Sequence, residues 1–224
     1  MLTDFFSLLY PNLCAGCGRN LVKSEIAICT KCKYDFDYTK FQSLKDNDVT
    51  RIFMGRIIIR DGFSLMAFHK SSVVQNVLHE IKYKSNKEAG IELGRMIGTK
   101  LSAYSPQYDV IIPVPLHPKK LKQRGYNQAE LLAEGISEKL SVPVDTSAFI
   151  RTNFTETQTK KGREDRWDNV EEVFQLKKPD NLIEQNVLLV DDVITTGATI
   201  DACGTVLLRG PLKSLSVASV ACVF

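Results

Sequence analysis

The stretch Val187-Leu188-Leu189-Val190-Asp191-Asp192-Val193-Ile194-Thr195-Thr196-Gly197-Ala198-Thr199 decides the fold. Its first four residues are all branched and apolar, which reads as a strand buried on both faces of a parallel sheet. Asp191 and Asp192 stand at the C-terminal end of that run. A short loop follows, and a helix is predicted from about Ala198 to Leu208. Strand, loop and helix in this order form the unit with which open α/β sheets bind ligands at the carboxyl ends of their strands. Backbone N–H groups and threonine hydroxyls at the helix N-terminus make an anion site, and Gly197 lets the main chain come close to the anion. The two acids disfavour a phosphate but accept hydrogen bonds from hydroxyls beside it. Phosphate next to vicinal hydroxyls describes a ribose 5-phosphate. A turn capped by Thr195 or Thr196 would explain the threonines, but not two acids directly after four apolar positions. The stretch has neither the G-x-x-x-x-G-K-[ST] nor the G-x-G-x-x-G pattern.

Working outward, the 224 residues correspond to one large domain or one domain with an appendage. With 44% hydrophobic and 25% charged residues, the chain can bury a sizeable core, and disorder, collagen, coiled coil and a multi-pass membrane protein are excluded. The net charge of +3 is too mild to announce a nucleic-acid binder. The first ten residues are predicted to form a short amphipathic helix before Pro11. Asp4 stands where a signal peptide would carry a basic residue. No run of apolar residues is long enough for a membrane span. With no export signal the cytoplasm is expected, where thiols stay reduced.

Four of the six cysteines fall as Cys14-x-x-Cys17 and Cys29-x-x-Cys32, eleven residues apart. Each C-x-x-C step lets two thiolates reach one metal from a tight turn. Two such knuckles complete a closed shell of four thiolates, the geometry of structural Zn²⁺. Two disulfides or four buried thiols remain the alternatives, disfavoured in a reducing compartment. Cys203 and Cys222 lie on an expected apolar helix and a terminal strand and read as small core residues. A boundary near residue 50 is expected, with a zinc module over 1–50 and an α/β domain over 51–224. The first fifty residues carry six basic and six acidic side chains, so the whole excess charge lies in 51–224.

Two central segments bear on the site. Asp109–Leu116 reads as a strand ending in the proline-rich Pro113-Val114-Pro115-Leu116. Beyond it, Lys119, Lys120, Lys122 and Arg124 place four cations within six positions, which suits a polyanion, or merely a solvated basic turn before a helix over Gly125–Leu140. Arg151–Val170 is polar and lies between two strand-like runs, Thr146–Ile150 and Val170–Leu176. A lid there would bring Lys160, Lys161, Arg163 and Arg166 over a departing diphosphate; a surface hairpin is the plainer alternative. Ile57–Phe68 reads as one or two strands broken at Asp61-Gly62, and Val73–Tyr83 and Glu88–Tyr104 as helices. His69 and His79 show no partner in the sequence and read as structural.

The stretch with two acids followed by T-T-G-x-T resembles the phosphoribosyl pyrophosphate (PRPP) motif of type I phosphoribosyltransferases. With P-V-P-L, R-G-Y-N-Q, the threonine-rich hairpin and the cysteine pairs, the chain from about Leu8 onward is similar to the ComF family (competence protein F, GntX, amidophosphoribosyltransferase-like proteins). The resemblance implies a type I phosphoribosyltransferase fold, a mostly parallel sheet with helices on both faces, plus a small four-cysteine zinc module. It implies that Asp191 and Asp192 hold the ribose hydroxyls. Val193, Thr195, Thr196, Gly197, Ala198 and Thr199 would take the 5-phosphate. Pro113, Val114, Pro115, Leu116, Lys122 and Arg124 would complete the PRPP site, with Asp191, Asp192, Lys160, Lys161, Arg163 and Arg166 as the catalytic set. It places Lys82-Tyr83-Lys84 on a hood over the acceptor side; an exposed helix end is the alternative. The implied activity is Mg²⁺-dependent transfer of phosphoribosyl to an unknown acceptor. The family name supplies a second expectation, DNA uptake with binding of single-stranded DNA, in which the PRPP site is a scaffold or sensor. A PRPP sensor without turnover is a third.

Overall fold

The computed structural model describes residues 12–70, 72–151 and 174–224. Its elements in chain order are two short helices, α1 (Thr30–Tyr34) and α2 (Asp48–Ile52), and strand β1 (Asp61–Ala67). Helices α3 (Val73–Tyr83) and α4 (Lys87–Ser102), strand β2 (Val110–Pro113), and helices α5 (Pro118–Arg124) and α6 (Gln128–Leu140) follow. Strands β3 (Phe149–Arg151), β4 (Phe174–Leu176) and β5 (Asn186–Ile194), helix α7 (Ala198–Leu208) and strand β6 (Ser214–Cys222) complete the chain. The expected helix over the first ten residues and the expected lid cations Lys160, Lys161, Arg163 and Arg166 lie outside the described residues.

The sheet has four strands in the order β1-β6-β5-β2, all parallel. The run Val187–Val190 lies at its centre, with Val190 opposite Pro113 on one side and Ala218 on the other. Side chains alternate across a strand, and both faces are covered. Leu188 and Val190 of β5, with Ala218 and Val220 of β6, pack with α3, α4 and α6. Val187 and Leu189, with Leu215 and Val217, pack with α2, α7 and the β3–β4 hairpin. Burial on both sides is why these strands show apolar runs rather than alternation. Ala15, Ala27, Ile28, Phe36 and Leu44 belong to the same buried cluster as Leu93, Ile97 and Leu131, so residues on both sides of position 50 share one core.

Four boundaries differ from the sequence reading. The strand at Val187 runs four residues further, through both acids to Ile194, because β6 continues beside it and pairs Asp191 with Ser219. The basic segment is a helix, not a turn: His117 caps α5 through its Nδ1, which accepts from Lys119 N at 3.2 Å, and Pro118 occupies its first turn. Gly125 ends that helix, so the helix expected over Gly125–Leu140 begins afresh at Gln128 under the Asn127 cap. The Ile57–Phe68 region holds one strand, which starts at Asp61 rather than breaking there.

Helices α4 and α6 cross with their main chains in contact. A Cβ added at Gly94 would sit 2.2 Å from Leu132 O, and one at Gly135 would sit 2.1 Å from Ile91 O. No side chain can move aside to relieve a clash with backbone. Gly94→Ala gains helix propensity, but the overpacking outweighs it. We expect a loss of about 2 kcal/mol in chemical denaturation; unchanged or raised stability would show that the crossing is looser than described.

Candidate functional site

The carboxyl ends of β2 and β5 open into a cavity of about 620 Å³. Asp191, Asp192, Val193, Thr195 and Thr199 line it from the β5–α7 side, and Val114, Pro115 and Leu116 from the loop after β2. Lys120 and Arg124 of α5 and Asn127 and Gln128 at the start of α6 form a further wall, and Gln75, Leu78, His79, Lys82 and Tyr83 of α3 another. Segments far apart in sequence are thus brought together by the parallel pairing of β2 with β5.

Each wall has its own support. Asn127 accepts from Ala129 N at 3.1 Å and donates Nδ2 to Val114 O at 2.9 Å, so one side chain caps α6 and fixes the Pro115 loop. The Tyr126 hydroxyl donates to Ile81 O, tying the α5–α6 link to α3. Arg124 donates Nη1 to Gln128 Oε1 at 2.7 Å and lies 5.3 Å over the Tyr83 ring. Lys82 Nζ pairs with Asp192 Oδ2 at 2.6 Å, and Asp191 Oδ1 accepts from Asp192 N at 2.8 Å. His79 packs its ring 4.9 Å from that of Tyr83.

The threonine loop beside this cavity forms a small concavity lined by Asp191 and Val193 through Ile200. Gly197 adopts φ +76°, a left-handed conformation, and a Cβ there would meet Phe53 Cε1 at 2.8 Å and Ile52 Cγ2 at 2.9 Å. Only glycine fits both demands. Gly197 occupies the cap position of α7, and Thr196 Oγ1, one residue before it, accepts from Ala198 N at 3.4 Å. Thr195, Thr196, Ala198 and Thr199 are exposed. Arg56 supports the loop from behind. It donates Nη1 to Thr196 O at 2.8 Å while its Nε and Nη2 hold Asp201 Oδ2 at 3.1 and 2.9 Å.

Of the residues named from sequence, Asp191, Asp192, Val193, Thr195, Thr199, Val114, Pro115, Leu116 and Arg124 meet in the cavity, and Thr196, Gly197 and Ala198 in the adjoining concavity. Pro113 is buried in β2, and neither it nor Lys122 is among the lining residues; Lys120 is the α5 lysine that is. The helical period of α5 explains this, since residues 120 and 124 share a face and 122 does not. His79 and Arg56 were not singled out for the site. His79 lines the cavity, and His69 pairs with Asp37 at 2.9 Å on the surface. The His69–Asp37 pair and the Arg56–Thr196 contact leave no local signal, because each crosses between segments distant in sequence.

The four Sγ atoms of Cys14, Cys17, Cys29 and Cys32 lie within 4.8 Å of one another. Cys14 to Cys32 and Cys17 to Cys29 are both 3.7 Å, the edge of a tetrahedron with metal–sulfur bonds of about 2.3 Å. The amides of Gly16 and Cys29 point at Cys14 Sγ at 3.4 and 3.2 Å, and that of Cys32 at Cys29 Sγ at 3.4 Å. Such donors favour thiolates. Arg19, through Nε at 3.5 Å, draws the Cys17 thiol down to about 6. Burial pushes the Cys32 thiol up, and a cation is what would allow all four sulfurs to ionise. The cluster can hold one metal ion. Buried Glu92 of α4 anchors it: Oε2 accepts from Ala27 N at 2.9 Å and Ile28 N at 3.0 Å, and Oε1 pairs with Lys33 Nζ at 2.5 Å. Cys203 and Cys222 are fully buried in the other cluster.

Fold and site together define a parallel-sheet α/β protein with a cavity at the carboxyl ends of its strands and a four-cysteine cluster. The chain is similar in sequence to proteins named competence proteins and DNA utilization protein. It is 36% identical over 110 residues to Competence protein F of Haemophilus influenzae, covering 49% of this chain and 48% of that one. It is 30% identical over 146 residues to DNA utilization protein YhgH of Escherichia coli O157:H7, covering 63% of each. Competence protein ComFC of Bacillus subtilis is 29% identical over 216 residues, 93% of this chain and 84% of that one. Against the first two, the chain thus spans about half to two-thirds of the relatives' length. No protein-family model matches. Similar solved structures include the glutamine PRPP amidotransferase from B. subtilis complexed with ADP and GMP, at 19% identity and TM-score 0.46, covering 59% of this chain and 26% of that one. The purine phosphoribosyltransferase from Pyrococcus horikoshii Ot3 has 19% identity and TM-score 0.40, covering 59% and 73%.

Replacing Glu92 by Ala would leave two buried amides and Lys33 without their acceptor. We expect a loss of about 3 kcal/mol and faster release of metal to a chelator. If Glu92→Ala holds both stability and metal, the carboxylate is not the anchor.

Proposed function

We propose that the protein binds PRPP in the cavity at the ends of β2 and β5 and transfers its phosphoribosyl group to an acceptor, releasing diphosphate. The observation that carries this reading is the meeting of two carboxylates, the threonine loop and three cations, Lys82, Lys120 and Arg124, in one cavity. Asp191 and Asp192 would accept hydrogen bonds from the 2- and 3-hydroxyls, once Lys82 releases Asp192. The exposed threonines and the amides of Thr195 to Thr199 would hold the 5-phosphate. The bond from C1 to the diphosphate oxygen breaks with its electron pair leaving on diphosphate, and a lone pair of the acceptor forms the new bond to C1. Cations neutralise the charge developing on the leaving group, and the cavity holds both reactants in line. Lys160, Lys161, Arg163 and Arg166 would close over the diphosphate in this reading.

Two acids provide only part of a cation's coordination shell, so Asp191 and Asp192 would help to hold a Mg²⁺ that arrives with PRPP. When bound there, it neutralises the diphosphate and orients the ribose. For the cysteine cluster we propose Zn²⁺ in a structural role, since four thiolates leave no open position. Residues 1–50 would form the zinc module and 51–224 the phosphoribosyltransferase-like domain, in a cytoplasmic protein. Among the described residues no helix is long and apolar enough to cross a membrane.

The names of the relatives, competence protein and DNA utilization protein, favour one second reading, in which the same site serves a protein that handles single-stranded DNA. Binding of DNA through its backbone falls steeply with salt; binding that is absent or independent of salt would remove this reading.

PRPP with Mg²⁺ at a hundredfold excess over its Kd should add about 2.7 kcal/mol. This raises Tm by about 5–10 °C, and Asp191→Asn with Asp192→Asn should abolish the shift. No shift at saturating PRPP sinks the transferase reading. Metal analysis of the purified protein should find one zinc per chain, lost from Cys14→Ser; a metal-free protein that is equally stable would remove the structural zinc.

A further inference from the structure

The four clustered sulfurs are not equally enclosed. Cys14, Cys29 and Cys32 are 2%, 6% and 2% exposed, whereas Cys17 is open to solvent. The tetrahedron they outline therefore has an inner and an outer edge. The inner edge, Cys14 to Cys32, is buried. The outer edge, Cys17 to Cys29, is 3.7 Å long and only partly buried.

A groove of about 320 Å³ borders the outer edge. Gly16, Cys17 and Gly18 form one side of it, and Asn76, His79, Glu80 and Lys84 the other. Both neighbours of Cys17 in sequence are glycines, so neither carries a side chain to screen the sulfur. The groove is ample for a small neutral oxidant. An accessible sulfur with a second sulfur poised beside it is the arrangement in which oxidation ends at a disulfide. The inner pair is shielded from the same reagent by its burial.

We propose that Cys17 and Cys29 form an oxidation site for hydroperoxides, hydrogen peroxide being the simplest, and that their disulfide opens the metal-binding set. The Cys17 thiolate attacks one peroxide oxygen. The O–O bond breaks, its electron pair leaves on the other oxygen, and that oxygen takes a proton to give water. Cys17 is then a sulfenic acid. The Cys29 thiolate attacks the Cys17 sulfur, the S–O bond breaks, and the departing hydroxide takes a second proton. Two thiolates, one hydrogen peroxide and two protons thus give one disulfide and two waters. The sulfurs lose two electrons and the peroxide gains them. Only Cys14 and Cys32 are then left to hold an ion, and the closed set of four is lost. A dithiol reductant reverses the step by exchange. His79 lines both this groove and the ligand cavity, so the reaction takes place behind a wall of that cavity. That the ion is Zn²⁺ rests on the structural role proposed above; the reaction of the two sulfurs does not.

The test treats the full chain, loaded with Zn²⁺, with an equimolar amount of hydrogen peroxide. Released metal is read with a chromogenic chelator. The bonded cysteines are read by mass spectrometry of an unreduced digest, after the remaining thiols are alkylated. A Cys17–Cys29 bond should form for each ion released, and a dithiol with added Zn²⁺ should restore the cluster. Cys17→His keeps a ligand of the kind found in sites of three cysteines and one histidine but takes away the exposed sulfur. It should release its ion to peroxide about tenfold more slowly. Wild-type protein that keeps both its metal and its four thiols under peroxide overturns the proposal. So does a first bond that omits Cys17 or joins it to Cys14 or Cys32, and so does release from Cys17→His at the wild-type rate. Should Cys17→His take up no metal, a dione probe for sulfenic acid decides on the wild-type protein: it should label Cys17 first, and first labelling elsewhere overturns the site. A protein that binds no Zn²⁺ removes the structural zinc, and the disulfide map then decides the oxidation site by itself.

Discussion

The close crossing of α4 and α6 is the contact on which the rest depends. With Gly94 against Leu132 O and Gly135 against Ile91 O, the two helices approach as far as backbones allow and cover one face of the sheet as a unit. Each then carries something beyond the core. From α4, Glu92 reaches back to hold the second cysteine pair through Ala27, Ile28 and Lys33. From α6, the Asn127 cap holds Val114 and with it the loop at the end of β2. Any shift of α4 against α6 would be felt at the cysteine cluster and the cavity together.

Within the cavity, charge is divided by element. The β5 wall supplies carboxylates, and α3 and α5 supply cations. Proximity allows one link between them, Lys82 to Asp192. Both groups are half-buried, and the pair gives each a partner in the free site. It also makes the site responsive, since a ligand that brings both hydroxyls and anionic oxygens can satisfy Asp192 and Lys82 separately.

Much of this was legible in the sequence where the signal is local. The apolar run Val187–Val190, the acids after it and the helix from Ala198 lie in one continuous stretch, and the structure reproduces them, with the strand continuing past the acids because β6 pairs with it there. The cysteine spacing likewise carried its own geometry. What the sequence did not reveal depends on contacts at long range. Arg56 supports Thr196 from 140 residues away, and nothing around Arg56 marks it. Glu92 looks like any helix-surface acid until the cysteine pairs close over it. Lys120 rather than Lys122 faces the cavity because the basic segment is helical, and a run containing Pro118 and Gly125 read as a turn.

The two sites are also joined by α3. Its Asn76 donates Nδ2 to Gly16 O at 3.0 Å, and Gly16 fits so closely that a Cβ there would meet Val73 Cγ1 at 2.6 Å and Cys32 Sγ at 2.9 Å. Three residues further along the same helix, His79 faces the cavity, followed by Lys82 and Tyr83. A metal ion that draws Cys14, Cys17, Cys29 and Cys32 together therefore fixes the surface on which the N-terminal half of α3 rests. The C-terminal half of that helix sets the position of the cation facing Asp192 and of the aromatic ring beneath Arg124. A metal ion held by the four cysteines would in this way act on the cavity walls without reaching the cavity itself. Its effect passes through a single eleven-residue helix, stiff enough to carry a displacement from one end to the other.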